Sequence, residues 1–162
     1  QARDDAEAGF GKRGGEGARV VAPLRSGVAA SDHRHRFGLQ QLDAAVETPK
    51  WGRIKADIAF GGVFYARIDV DQIGLGIVPE AARALAEAGT EIKSLLRDQI
   101  AVEHPEIPSL DEIAYVMFRA YQPDGSVVTC ATLKPGRVDR SPRGTGSSAR
   151  LALMHAIRAL FA

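Results

Sequence analysis

Asp139, Arg140, Ser141, Pro142, Arg143, Gly144, Thr145 and Gly146 lead directly into an apolar run of helical spacing, Leu151, Leu153, Met154, Ala156, Ile157, Leu160 and Phe161. An acid and two glycines before a helix are the parts of a small anion pocket. Unpaired backbone N–H groups at a helix start bind carboxylate or phosphate, and glycines let the ligand approach the backbone. Arg143 is the odd member. Its guanidinium stays charged near neutral pH and cannot act as a base. It also sits where the helix dipole disfavours a cation. It can pair with Asp139 or bind a carboxylate directly. A plainer reading is that Thr145 or Ser147 simply caps the helix. The residues alone leave the two readings open.

Other chemistry-bearing residues carry less. Residues 9–14, "GFGKRG", match the letters of a dinucleotide fingerprint. The mechanism needs a strand before the motif and a helix after it, and neither pattern is present. Arg13 stands where a phosphate-binding loop needs Ser or Thr after its lysine. His33 and His35 in "DHRHR" are two residues apart, a spacing that suits neither a helical zinc pair nor a zinc finger, so a solvated loop is expected. His104, before Pro105, reads as a loop residue. His155 lies in the apolar helical run and is expected to be a hydrogen-bonded core histidine. Cys130 falls in a strand pattern without a nearby basic residue, as a small buried hydrophobe does.

The elements that must position these residues follow from periodicity. Ile54, Ala56, Ile58 and Phe60 alternate with Arg53, Lys55 and Asp57, which predicts a half-buried strand. Gly61-Gly62 turns the chain into a second strand, with Phe64, Ala66, Ile68 and Val70 on one face, and the two make an antiparallel hairpin. Pro79 and Glu80 suit a helix first turn. Ala81, Leu85, Ala88, Ile92, Leu95, Leu96 and Ile100 then form one apolar stripe, weakened in the middle by Gly89. Residues 104–112 read as a loop. Residues 113–121 and 126–133 read as strands around an Asp124-Gly125 turn, and Pro135-Gly136 marks another turn. The last helix is expected from about Ser147, apolar nearly all round and therefore buried. Residues 1–38, rich in Gly, Arg and Ala, show little periodicity and are expected to be irregular.

Bulk properties narrow the function classes. The chain has 162 residues, 45% of them hydrophobic, and 21 Lys plus Arg against 20 Asp plus Glu. That balance gives no electrostatic case for nucleic acid or an anionic membrane. No apolar run approaches a membrane span. One cysteine excludes an internal disulfide framework and a cysteine-rich zinc site. A cytoplasmic location is the expectation.

The stretch 139–156 resembles the signature of the proline racemase family, which includes proline racemases, 4-hydroxyproline epimerases and trans-3-hydroxy-L-proline dehydratases. The family pattern is Asp-Arg-Ser-Pro, a catalytic residue, Gly-Thr-Gly, then a helix start like "SSAR". Residues 47–75 look like the family's strand pair, "IKSLLRDQIAVEHPEIPSLDEIAYVMF" like its outer helix and next strand, and "LKPGRVDRSP" is in keeping. The similarity runs over about residues 39–158.

The resemblance implies an α+β fold: one lobe of a diaminopimelate-epimerase-like protein, a mixed, β-barrel-like sheet around a central helix. It implies chemistry with no cofactor and no metal. Two bases flank the substrate's Cα, and one removes a proton while the other returns one. Both are cysteines in the racemases, one from each lobe, and dehydratases carry Ser or Thr at one position. By this resemblance Asp139 contacts the ring nitrogen, the Gly144 and Thr145 amides meet the carboxylate, and Arg143 replaces the second catalytic residue. The first catalytic motif, Met-Cys-Gly-His-like, occurs nowhere in the 162 residues. The implied protein is a partial lobe over 39–162, inactive as a fragment. Its partner would be a small molecule of the proline or hydroxyproline type rather than nucleic acid or a membrane, and its assembly a homodimer. The alternative is a non-catalytic module that binds small carboxylates.

Overall fold

A computed structural model describes residues 38–160. The expectations for "GFGKRG", for His33 and His35, and for residues 1–37 as a whole lie outside the described residues. Six strands form one mixed sheet in chain order: β1 (Gly38–Thr48), β2 (Gly52–Phe60), β3 (Phe64–Asp69), β4 (Ile113–Tyr121), β5 (Val127–Leu133) and β6 (Arg137–Val138). All neighbours are antiparallel except β3 and β4. A parallel pair needs a crossover, and α1 (Ala82–Gln99) provides it. The second helix, α2 (Gly144–Leu160), follows β6. The fold is α+β, one lobe of a two-lobed architecture.

The strands send alternate residues to opposite faces, and each face carries one helix. Ile58, Phe60, Phe64, Ala66, Ile68, Val116 and Phe118 pack with Leu85, Ile92 and Leu96 of α1. Ala59, Tyr65, Met117 and Ala131 pack with Ala149 and Leu153 of α2. The expected stripe of α1 is seated as the spacing predicts, with Ala81, Leu95 and Ile100 packed around its fully buried members. Gly89 is more than a weak point in that helix. A Cβ there would collide with the Thr132 side chain of β5, so the glycine lets α1 approach the sheet.

Four expectations need correction. The strand over 52–60 is not half-buried, because α2 covers the face opposite α1 and Asp57 and Ala59 are buried as well. The last helix begins at Gly144, so the glycines form its first turn instead of preceding it. It is also buried on one side only: Ala149, Leu153 and Ala156 face inward, while Leu151 is 66% and Met154 51% exposed. His155 is exposed, not a core histidine. β1 and β6 have no counterpart in the periodicity reading. β1 is interrupted by register shifts between Leu39 and Ala44, with Asp43 at φ 49°, so its alternation is broken.

Candidate active site

β6 and α2 bring the signature residues together. The Asp139 N–H bonds the Ala131 carbonyl at 2.8 Å, which ties the end of β6 to β5. The Asp139 carboxylate then organises the following turn. Its Oδ1 accepts the Ser141 N–H at 2.9 Å and its Oδ2 the Ser141 hydroxyl at 2.8 Å. These bonds, with the charge of Arg143, hold the Asp139 carboxyl below the usual carboxylate range.

Arg143 occupies the N-cap position. Its carbonyl accepts the first intrahelical bond, from the Ser147 N–H at 2.9 Å. Its φ is 52°, a left-handed conformation that is unfavourable for a residue with a side chain. The side chain is 13% exposed and turns back to Asp139 in an ion pair through Nε. Nη2 is buried without a hydrogen-bond partner among the described residues. The guanidinium carbon lies 4.3 Å over the Tyr115 ring. Nη1 reaches the Tyr65 hydroxyl at 3.4 Å, and that hydroxyl meets Thr145 Oγ1 at 2.8 Å.

This wiring removes the plainer reading of the helix start, a cap by Thr145 or Ser147. Thr145 spends its hydroxyl on Tyr65, and Ser147 turns its own to the Pro142 carbonyl at 3.4 Å. Arg143, at the cap position, carries no acceptor. The N–H groups of Gly144, Thr145 and Gly146, ahead of the first intrahelical bond, therefore have no side-chain cap from these residues. Gly144 and Thr145 are exposed, and Gly146 is buried. The turn is also rigidly seated. A Cβ at Gly61 would collide with the Thr145 carbonyl and the Ala149 backbone, and one at Gly146 would press on Met117 and the Tyr65 ring.

A cavity of about 70 Å³ opens beside the turn, bounded by Asp139, Ser141, Arg143, Gly146, Ser147 and Arg150. Asp139 and Arg143 line it; Gly144 and Thr145 stand outside it. A larger cavity, about 190 Å³, lies across the sheet between α1 and β5 and contains none of the signature residues. Cys130 is half-buried on the α1 side, and burial, then the charge of Asp139, pushes its thiol pKa up. His104 does lie in a loop, yet it is 5% exposed, with Nδ1 accepting the Glu106 and Ile107 N–H groups. Among the described residues no group of His, Cys, Asp or Glu could hold a metal ion. No helix there is long and apolar enough to cross a membrane.

Sequence reasoning missed the floor of the site. Tyr65, Tyr115 and Arg150 all contribute, and for the two tyrosines the available signal was the off-phase positions of strands β3 and β4. The same phase places Asp57, Arg67, Asp69 and Arg119 on the α2 face. Arg119 donates to Asp57 Oδ2 at 2.9 Å and pairs with Asp69. Burial works against its charge, but the Asp69 hydrogen bond and both carboxylates outweigh that and raise its pKa. Arg67 is 3% exposed, and its Nε has no hydrogen-bond partner. Burial, reinforced by the charge of Arg119, pushes its pKa down to about 10.

Comparison with known proteins identifies the family. The proline racemase family profile matches residues 35–160. A 4-hydroxyproline 2-epimerase of Allorhizobium ampelinum is 55% identical over 118 residues, covering 73% of this chain and 34% of that protein. A proline racemase of Clostridioides difficile is 35% identical over 113 residues, covering 68% and 34%. The crystal structure of a hydroxyproline epimerase from Agrobacterium vitis, with bound trans-4-hydroxy-L-proline, superposes with a TM-score of 0.70 at 54% identity. It is covered to 35%, against 74% of this chain. The chain thus spans about a third of the length of the curated relatives it matches.

Proposed function

This chain belongs to the proline racemase family, and we propose that it supplies the carboxylate-binding side of a site for proline-type ring acids, with no proton transfer from position 143. The reaction of descent is inversion at Cα of proline or hydroxyproline, the activity named for its relatives. In this reading the Gly144 and Thr145 amides hold the carboxylate at the positive end of α2. Asp139 stands at the position that the resemblance gives to the ring-nitrogen contact, and here it holds Arg143. Arg143 replaces the second proton-transferring residue, and a guanidinium cannot take up a proton near neutral pH. The family chemistry asks for no cofactor, because charge developing on the carboxylate is met by amides and the helix dipole. The partner is a small molecule rather than nucleic acid or a membrane, the location the cytoplasm, and the assembly a homodimer.

One observation carries the proposal: the first-turn N–H groups are left without a side-chain cap because Thr145, Ser147 and Arg143 all direct their polar groups elsewhere. Amide NMR titration tests it. Adding a five-membered-ring carboxylate is expected to shift the Gly144, Thr145 and Gly146 amide resonances together, ahead of those in α1. No shift at these three residues under saturating ligand would overturn it.

A further inference from the structure

The charges around the small cavity do not suit a zwitterion. Among its lining residues Asp139 is the one acid, against Arg143 and Arg150. A carboxylate offers about four lone-pair sites. Two of those on Asp139 take Ser141, at 2.9 and 2.8 Å, and a third faces Arg143. The guanidinium is also held from other sides, 4.3 Å over Tyr115 and with Nη1 on the Tyr65 hydroxyl. The place for a cation beside Asp139 is thus filled by the chain itself. The next carboxylates on this face, Asp57 and Asp69, are engaged by Arg119. Arg150 has no ion pair among the described residues.

With Arg143 and Asp139 cancelling, Arg150 and the start of α2 leave a net positive field. That field attracts a carboxylate and repels an incoming ammonium. From this geometry we infer that the pocket takes ring carboxylates without a charged amine in preference to zwitterionic imino acids, with Arg143 standing in for the ligand's ammonium. The inference rests on the reading of the α2 first turn as a carboxylate site. The carboxylate meets the exposed Gly144 and Thr145 amides at the edge of this cavity, so the ring amine faces Asp139, whose charge Arg143 already holds.

Calorimetric titration of the full chain with cyclopentanecarboxylate and L-proline tests this, since the two differ by a methylene in place of the ring ammonium. Cyclopentanecarboxylate is expected to bind at least tenfold more tightly. Arg143→Ser, which frees Asp139, is expected to bring that ratio down by tenfold or more, whereas Arg143→Lys, which keeps a cation there, retains the preference. Circular dichroism checks that each variant folds, and the unmodified chain answers the question even if one does not. Proline binding as tightly as cyclopentanecarboxylate would overturn the inference while leaving the carboxylate site in place. An unchanged ratio in a folded Arg143→Ser protein would overturn the role given to Arg143. Absence of binding by both ligands would overturn the carboxylate site itself, and this inference with it.

Discussion

On the face toward α1, the strands present Ile54, Ile58, Ala66, Ile68, Val116 and Phe118, all buried and all apolar. On the face toward α2, the same strands present Asp57, Tyr65, Arg67, Asp69, Tyr115 and Arg119 around a smaller apolar patch of Ala59, Met117, Ala131, Ala149 and Leu153. A one-residue step along a strand moves from one set to the other. The α1 face gathers apolar area into one continuous core, which is the main source of stability. The α2 face holds charges that cost desolvation, and it holds them next to the signature turn. We propose that this contrast separates a face that serves stability, toward α1, from one that serves ligand chemistry, toward α2.

The largest effect that can break this comparison lies on the α1 face. Ile92 is fully buried beneath the sheet. Ile92→Ala is expected to lower unfolding free energy by about 3–4 kcal/mol, while Leu153→Ala on the α2 side costs about 2 kcal/mol, because that side has more freedom to relax. Urea denaturation of both variants measures the difference. Equal losses would remove the asymmetry. Ile92→Ala is also expected to leave ring-carboxylate affinity unchanged in the folded fraction.

Arg67 sharpens the comparison from the other side. Its folded pKa, about 10, lies below its ordinary value, so the folded state disfavours the proton that the unfolded chain keeps. The penalty is therefore complete below pH 10. It is relieved as pH rises through 10, where the folded state sheds the proton first and stability increases. Arg67→Leu is expected to stabilise the protein by about 1–3 kcal/mol at pH 7. Its advantage should shrink in denaturation curves recorded above pH 10. Destabilisation by Arg67→Leu would show that Arg67 has a partner essential to the fold.

Much of the α1 face was legible in the sequence. The 3.6-residue stripe from Ala81 to Ile100 and the alternation of Ile54 through Phe60 are direct imprints of burial against one partner. The signature turn was legible as the approach to a helix, but its residues left an anion pocket and a plain cap equally open, and the helix start was read three residues late. What could not be read was which polar strand positions are covered. Arg67 and Asp57 look like solvent-facing residues of a half-buried strand until α2 is laid over them. Tyr65 and Tyr115, the floor beneath Arg143, are separated from it in sequence and come together through strand register. The exposure of Leu151, Met154 and His155 was hidden for the converse reason: composition states that a helix is apolar, not which of its sides finds a partner. β1 was lost to its bulge.

The smallest expected effect concerns Cys130. Its thiol is pushed above the usual range by burial and then by the Asp139 charge, so little thiolate forms near neutral pH. Alkylation by iodoacetamide at pH 7.5 is expected to be at least tenfold slower in the folded chain than in the urea-unfolded chain. Comparable rates would place Cys130 among reactive groups and blur the division between the faces.

We propose that the α2 face keeps a carboxylate site whose proton-transfer position is closed by Arg143. Proline Cα hydrogen exchange in D₂O, followed by proton NMR in the presence of this chain, tests it most directly. The Cα proton signal is expected to fall at the protein-free rate, and exchange above that rate would contradict the proposal.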